Sequence, residues 1–302
     1  MKYRTLGKSG LRVSSIGLGC VTFGREIDAA ASFALMDRAV ELGITLFDTA
    51  EAYAGGRSEE IVGKWLAERE ARAKIVLTTK VRPPLGGARV LESAETSLRR
   101  LRTDSVDLFL LHSWDASAPL DETLEALDML VRQGKARAVG CSNLAAWQLG
   151  KALWRQDGRG WARMEAVQPS YNLVVRDIEC ELLPLCADQQ VGVITYSPLG
   201  GGFLTGKYSR RGEVPAGARL DVVPGMQPIY LHETGFRILA GLEGKAAVLG
   251  TTPPVLALAW AMTHPGVTSV LIGARTPAQV DQALMADALG LSAEMRAELS
   301  AL

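Results

Sequence analysis

The chain has 302 residues, 48% of them hydrophobic, with 33 basic and 33 acidic side chains. A zero formal charge lacks the electrostatic footprint of a nucleic-acid or anionic-membrane binder. No apolar run reaches the roughly 18 residues of a membrane span, and the polar start MKYRTLGKSG holds no secretory stretch. The four cysteines show no metal-ligand spacing, and three histidines are too few to suggest zinc. No metal is expected. Reduced thiols in a cytoplasmic protein are.

In chain order, YRTLGKSGLRVSS reads as a hairpin with a KSG turn. SIGLGC (15–20) is the first buried strand. ASFALMDRAVEL (31–42) then places Phe33, Met36, Ala39 and Val40 on one helical face. ITLFD (44–48) is a strand, followed by helical SEEIVGKWLAERE (58–70). KIVLTTK (74–80) is a strand, and Val90, Ala94, Leu98 and Leu101 mark the next helix. VDLFLLH (106–112) is followed by a stripe of Leu120, Leu124, Leu127 and Val131. ARAVGCSN (136–143) precedes helical LAAWQLGKALWR, whose Trp147 and Trp154 read, with Trp260, as core or helix-face packing. EAVQPSYN (165–172) precedes IECELLPLCADQ, a helix kinked by its proline.

VGVITYS (191–197) is the seventh strand. A long aperiodic segment follows over 198–232, and GLEGKAAVLGTTPP reads as glycine-rich and less helical. SRR (209–211) reads as a solvated loop. PPVLALAWAMTH (253–264) is a helix, VTSVLIG (267–273) the last strand, and TPAQVDQALMADAL (276–289) the last helix. Eight buried apolar strands alternating with helices predict a single (β/α)8 barrel domain over residues 1–302, with the hairpin closing its bottom. The rival, a doubly wound sheet, wants a glycine fingerprint after its first strand; GLGC lacks the third glycine.

In such a barrel chemistry gathers where the strands end. Those ends are Asp48, Lys80, His112, Ser142 with Asn143, Gln168, Tyr196 and Gly273. Singly each has a plain reading: a turn cap, a surfaced lysine, a satisfied core histidine. Together they point to one site. No serine stands in a nucleophile elbow. Only Asp48 and Glu51 bear carboxylates on the rim segment FDTAEAY (47–53), weak support for a paired-carboxylate hydrolase. Tyr53 suggests other chemistry. The Lys80 ammonium lowers a phenol's pKa, Asp48 holds the lysine, and His112 donates to a carbonyl oxygen. That set suits proton transfer to an oxygen as a carbonyl is reduced.

The chain resembles the aldo-keto reductases along essentially its whole length. The motifs are GLGCVTFG (17–24), FDTAEAY (47–53), TTK (78–80), LLH (110–112), GCSN (140–143), QPSYN (168–172), YSPLGGGFLTGKY (196–208) and IGARTPAQV (272–280). The resemblance implies Tyr53 as general acid–base, Lys80 as its partner, Asp48 as the anchor and His112 as the carbonyl-orienting group. It implies NADP(H) across the barrel mouth. Ser142, Asn143 and Gln168 would hold the carboxamide, and Tyr196 would stack on the nicotinamide. Ser197, Leu199, Gly201 and Leu204 would lie along the pyrophosphate. Gly273 and Arg275 would serve the adenosine end, Arg275 taking the 2′-phosphate and Gln279 capping the adjoining helix. Ala283 stands where many relatives place an adenine-binding Asn.

Phe23 and Trp114 are the expected walls of an aromatic slot for a small-molecule carbonyl substrate. The expected activity is NADPH-dependent reduction of an aldehyde or ketone. An aldose- or pyridoxal-type dehydrogenase running the same site oxidatively is the alternative. A non-catalytic, redox-sensing channel subunit is a second one.

Overall fold

The structure is a computed structural model describing residues 1–210 and 214–302. Arg211 of the SRR run lies outside the described residues. Strands β1 (Tyr3–Thr5) and β2 (Arg12–Ser14) pair antiparallel. Eight parallel strands then close into a barrel: β3 (Ile16–Gly19), β4 (Leu46–Asp48), β5 (Val76–Val81), β6 (Val106–Leu111), β7 (Ala136–Ser142), β8 (Met164–Gln168), β9 (Gly192–Thr195) and β10 (Ser269–Gly273). Closure comes from β10, which pairs with both β3 and β9. The outer ring holds α1 (Ala29–Glu41), α2 (Arg57–Arg69), α3 (Gly87–Leu101), α4 (Leu120–Arg132), α5 (Ala146–Arg159) and α6 (Leu182–Gln189). It is completed by the four-residue helices α7 (Arg219–Val222) and α8 (Gln227–Tyr230), and by α9 (Glu233–Val248), α10 (Pro253–Met262), α11 (Pro277–Leu289) and α12 (Ala293–Ser300).

The eight barrel strands fall on the eight apolar runs of the sequence. Three expectations for the remaining segments need correction. The Gly-rich GLEGKAAV stretch is helical, within α9. Gly235 is needed there, because a Cβ would lie 2.3 Å from the Tyr230 carbonyl. The proline of IECELLPLCADQ does not kink a long helix. Pro184 sits in the first turn of α6, where its missing N–H costs no helical bond, and a separate 3-10 turn, Asp177–Glu179, precedes it. A further helix, α12, follows α11.

The barrel's interior is a small apolar cluster: Leu46, Leu108, Leu110, Ala138, Ala166, Ile194 and Leu271. Leu6, Leu11 and Val13 of the hairpin belong to the same cluster and close it from below. The fit is tight. A Cβ on Gly192 would stand 2.4 Å from the Leu6 side chain. Burying each leucine, isoleucine or valine of this cluster contributes about 1.5–3 kcal/mol. The helices pack outside, over a second and larger cluster that includes Trp65 and Trp260.

Strand period positions the site. Side chains two apart share a face. Counting up from the interior residues, Leu46 leads to Asp48, Leu110 to His112, Ala166 to Gln168, Ile194 to Tyr196 and Leu271 to Gly273. Val76, packed on the same cluster, leads through Thr78 to Lys80, and Ala138 leads through Gly140 to Ser142. The polar ring is therefore the top layer of the barrel's own filling.

Candidate active site

Lys80 is fully buried. Its ammonium donates to Asp48 Oδ2 at 2.6 Å, to the Thr49 carbonyl at 3.0 Å and to the Tyr53 hydroxyl at 3.0 Å. Three acceptors for three N–H groups leave no donor idle. Asp48 is 2% exposed. Its other oxygen accepts from Gln168 Nε2 at 2.8 Å.

Tyr53 lies outside the strands, at the start of a 3-10 turn, Tyr53–Gly56, that leads into α2. Its neighbours Ala54 and Gly55 have φ of 49° and 66°. This left-handed pair turns the chain sharply, so the phenol folds back over the rim. Gly56 sits at φ 95°, a left-handed backbone that strains any side chain, and a Cβ there would also have to displace the Arg100 guanidinium.

His112 follows β6 directly, with its backbone N–H bonded to the Val81 carbonyl at 2.7 Å. Its ring stands edge-on to Tyr53, centroids 5.8 Å apart at 78°. Its Nδ1 is buried with no hydrogen-bond partner.

Burial dominates the titration of the phenol. It pushes Tyr53 above its ordinary value, and the Lys80 charge offsets this only in part. The expectation of a net lowering by Lys80 is corrected: desolvation outweighs the ammonium. Lys80 itself is held above its ordinary value; burial works against its charge, but Asp48 and then Tyr53 outweigh burial. For His112, burial and then the Lys80 charge bring the pKa down to about 4. At neutral pH the site therefore holds a charged lysine, a neutral imidazole and a protonated phenol.

The amide and hydroxyl residues form one chain beside this cluster. Ser142 Oγ donates to the Gln168 carbonyl at 2.7 Å. Asn143 donates to Ser142 Oγ at 3.1 Å and to the His112 carbonyl at 2.9 Å. The Tyr196 hydroxyl donates to Asn143 Oδ1 at 2.7 Å. Asn143 and Ser197 both sit at positive φ, 58° and 54°. Glu51 is not a second acid. Arg89, Ser93 and the Arg82 N–H hold its carboxylate at 2.7, 2.6 and 2.9 Å.

The segment after β9 covers part of the mouth. Gly201 lies beneath Leu220, Arg219 and Met226. Its carbonyl accepts from the Tyr208 hydroxyl at 3.1 Å, which in turn accepts from the Leu220 N–H at 3.2 Å. Leu199 is partly buried, whereas Leu204 is fully buried, with its N–H bonded to the Leu199 carbonyl at 3.1 Å. Leu204 thus offers a ligand neither side chain nor donor. Gly273 is exposed on the rim. Gln279 caps α11 by accepting from the Arg275 N–H at 2.7 Å, and Ala283 is buried on the same helix.

Cations missed by the sequence analysis converge here. Lys207, within FLTGKY, lies beside Gly202 and senses the Arg275 charge. Arg219 senses Tyr53. The only trace in the sequence was a lysine after a glycine run and an arginine in an aperiodic segment. The cationic rim and the unpartnered His112 Nδ1 fit an anionic nucleotide with a carbonyl compound beside it.

The walls of the expected slot differ from expectation. Phe23 is fully buried in the outer core and presents no surface to the mouth. Trp114 is partly buried and meets Trp147 edge to face, centroids 5.7 Å apart at 62°. Trp147 is 61% exposed and Trp154 is 69% exposed, so neither is core; Trp260 is fully buried. The helical spacing of Trp147 concealed its place in the first turn of α5, edge-on to Trp114.

The family model for the aldo/keto reductase family matches residues 15–302. A protein of Arabidopsis thaliana described as a probable voltage-gated potassium channel subunit beta is 35% identical over 299 residues, covering 95% of this chain and 91% of the relative. An uncharacterized oxidoreductase of Bacillus subtilis, YrpG, is 35% identical over 313 residues, covering 98% and 94%. Protein tas of Escherichia coli is 33% identical over 338 residues, covering 100% and 97%.

Proposed function

The chain belongs to the aldo/keto reductase family of oxidoreductases, and from that premise we propose that it reduces an aldehyde or ketone to an alcohol with NADPH. The observation that carries this reading is the Lys80 ammonium, joined at once to Asp48 at 2.6 Å and to the Tyr53 hydroxyl at 3.0 Å. A bound reduced nicotinamide supplies the hydride. The chain's own residues handle position and proton. Ser142, Asn143 and Gln168 carry the amide and hydroxyl groups suited to a carboxamide. The partly buried Tyr196 ring offers a stacking face. Lys207, Arg219 and Arg275 supply positive charge for phosphates, and Arg275 for the 2′-phosphate.

Tyr53 Oη and the His112 ring define the place of the carbonyl oxygen. As negative charge grows there, Tyr53 gives up its proton. Lys80 stabilises the phenolate left behind. Asp48 keeps Lys80 charged and aimed. His112, neutral at this pH, donates a hydrogen bond without competing as an acid.

The oxidative alternative, an aldose- or pyridoxal-type dehydrogenase, needs Tyr53 as phenolate. Burial disfavours that form near neutrality. A channel-associated role has behind it the descriptions of relatives such as the Arabidopsis protein. No helix among the described residues is long and apolar enough to cross a membrane, so such a role would be that of a bound subunit. A panel of aldehydes, ketones and alcohols followed by NADPH absorbance in both directions tests these readings. Faster reduction at pH 7 supports the proposal. Faster oxidation favours the dehydrogenase, and negligible turnover on every substrate favours the binding subunit.

A further inference from the structure

Glu26, in the loop after β3, has a side chain only 8% exposed. Three arginines share its carboxylate. Arg25 chelates it through Nε and Nη2, both at 2.7 Å. Arg219 of α7 reaches Oε1 at 3.4 Å. Arg275, just ahead of α11, lies 3.8 Å from the same oxygen. The Arg275 guanidinium also donates to the Gly217 carbonyl at 2.9 Å, so it faces the covering segment. Three separate stretches of the rim thus meet on one shielded carboxylate, and that carboxylate stands among the cations an anionic ligand would use.

We propose that Glu26 is a specificity-determining residue for the nucleotide, holding down the preference for a 2′-phosphorylated ribose; this rests on reading the mouth as an NAD(P)(H) site. A phosphate directed to Arg275 must come close to a carboxylate shielded from water, where like charges repel strongly. It must also draw Arg275 away from Glu26 and Gly217. An unphosphorylated ribose brings no charge to that point, and its hydroxyls can donate to a carboxylate. Glu26 therefore opposes NADPH and not NADH. It works by repulsion of one competitor, a common route to specificity.

The test is the ratio of dissociation constants for NADPH and NADH, read by quenching of tryptophan fluorescence. Glu26→Gln should tighten NADPH by roughly fivefold or more, as expected for loss of one shielded like charge. NADH should change by less than about twofold. Glu26→Asp, which keeps the charge, should stay near the wild-type ratio. Arg25→Ala removes the cation that neutralises Glu26 without touching Arg275, and should weaken NADPH more than NADH. This second variant decides the matter if Glu26→Gln does not fold. Equal shifts for both nucleotides, or weaker NADPH binding in Glu26→Gln, would make Glu26 a structural latch and overturn the inference. Failure of both nucleotides to bind the wild-type chain would overturn the underlying nucleotide reading instead.

Discussion

Gln168 donates its amide to the Asp48 carboxylate across 2.8 Å, joining residues 120 apart in sequence. The bond leaves neither Asp48 oxygen free, since Lys80 holds the other at 2.6 Å. The carboxylate is thereby held at both oxygens as an anchor for the lysine. It also ties the residue proposed for the carboxamide to the ion pair behind Tyr53. A change at either end should be felt at the other.

Removing Lys80 should be severe. Lys80→Met leaves Asp48 buried with one neutral donor, and breaking a buried pair costs about 3–5 kcal/mol. The urea midpoint should fall accordingly, and the double variant Asp48→Asn/Lys80→Met should recover part of the loss. A Lys80→Met midpoint equal to wild type would show that the pair adds no stability.

The pH profiles should differ by direction. Tyr53 is raised above its ordinary value, so its protonated form persists through neutrality and is lost only in alkali. Reduction should hold a level kcat from about pH 6 to pH 9 and fall only beyond the ordinary phenol value of about 10. Oxidation needs the phenolate, so its rate should climb about tenfold per pH unit over the same span. An oxidation rate already level at pH 7 would contradict the burial argument.

His112 links folding to acid. Its folded pKa of about 4 lies below the ordinary 6.5. The native state therefore binds fewer protons than the unfolded chain in that window. The sign follows: the contribution is full above pH 6.5 and is lost as pH falls toward 4. Denaturation of His112→Gln, compared with wild type across this window, should show a shallower acid loss. Parallel curves would mean that the imidazole titrates normally.

Trp147 should act on the substrate rather than on the fold. It is exposed and meets Trp114 only by an edge, a contact worth about 0.5–1.5 kcal/mol. Trp147→Ala should raise KM several-fold for aromatic aldehydes and leave KM for short aliphatic ones and kcat near wild type. A uniform change across both classes would mean that Trp147 does not meet the substrate.

Much of this site was legible because the barrel writes it at strand ends. The alternation that buries Leu46, Leu110, Ala166 and Ile194 carries Asp48, His112, Gln168 and Tyr196 to the mouth, and that period is visible in a single sequence. What escaped depended on distance in space. Phe23 looked like a loop aromatic, but the turn after β3 folds it into the outer core. Trp147 looked like packing on a helix face, yet in the first turn of α5 it stands exposed and edge-on to Trp114. The segment near Arg219 has no period because two four-residue helices, α7 and α8, build it, held by tertiary contacts such as Gln227 to the Leu220 carbonyl at 2.9 Å. The net direction of the Tyr53 shift was hidden for a similar reason. Sequence names the charged neighbour and not the depth of burial.

Arg275 should separate the two nucleotides. Arg275→Ala should weaken NADPH by about tenfold, the scale of one partly exposed charge-assisted contact, and NADH far less. Titration of each by fluorescence checks it, and equal losses would take the 2′-phosphate away from Arg275.

In the proposed reaction Tyr53 gives the proton while other residues hold the cofactor. Tyr53→Phe removes one oxygen from the Lys80 contact at 3.0 Å and leaves the Asp48 pair in place. Single-turnover measurement of NADPH absorbance after mixing with an aldehyde tests it most directly. NADPH binding should stay close to wild type, with the rate of NADPH oxidation down by about 10²–10⁴-fold. NADPH oxidation at the wild-type rate in Tyr53→Phe would contradict it.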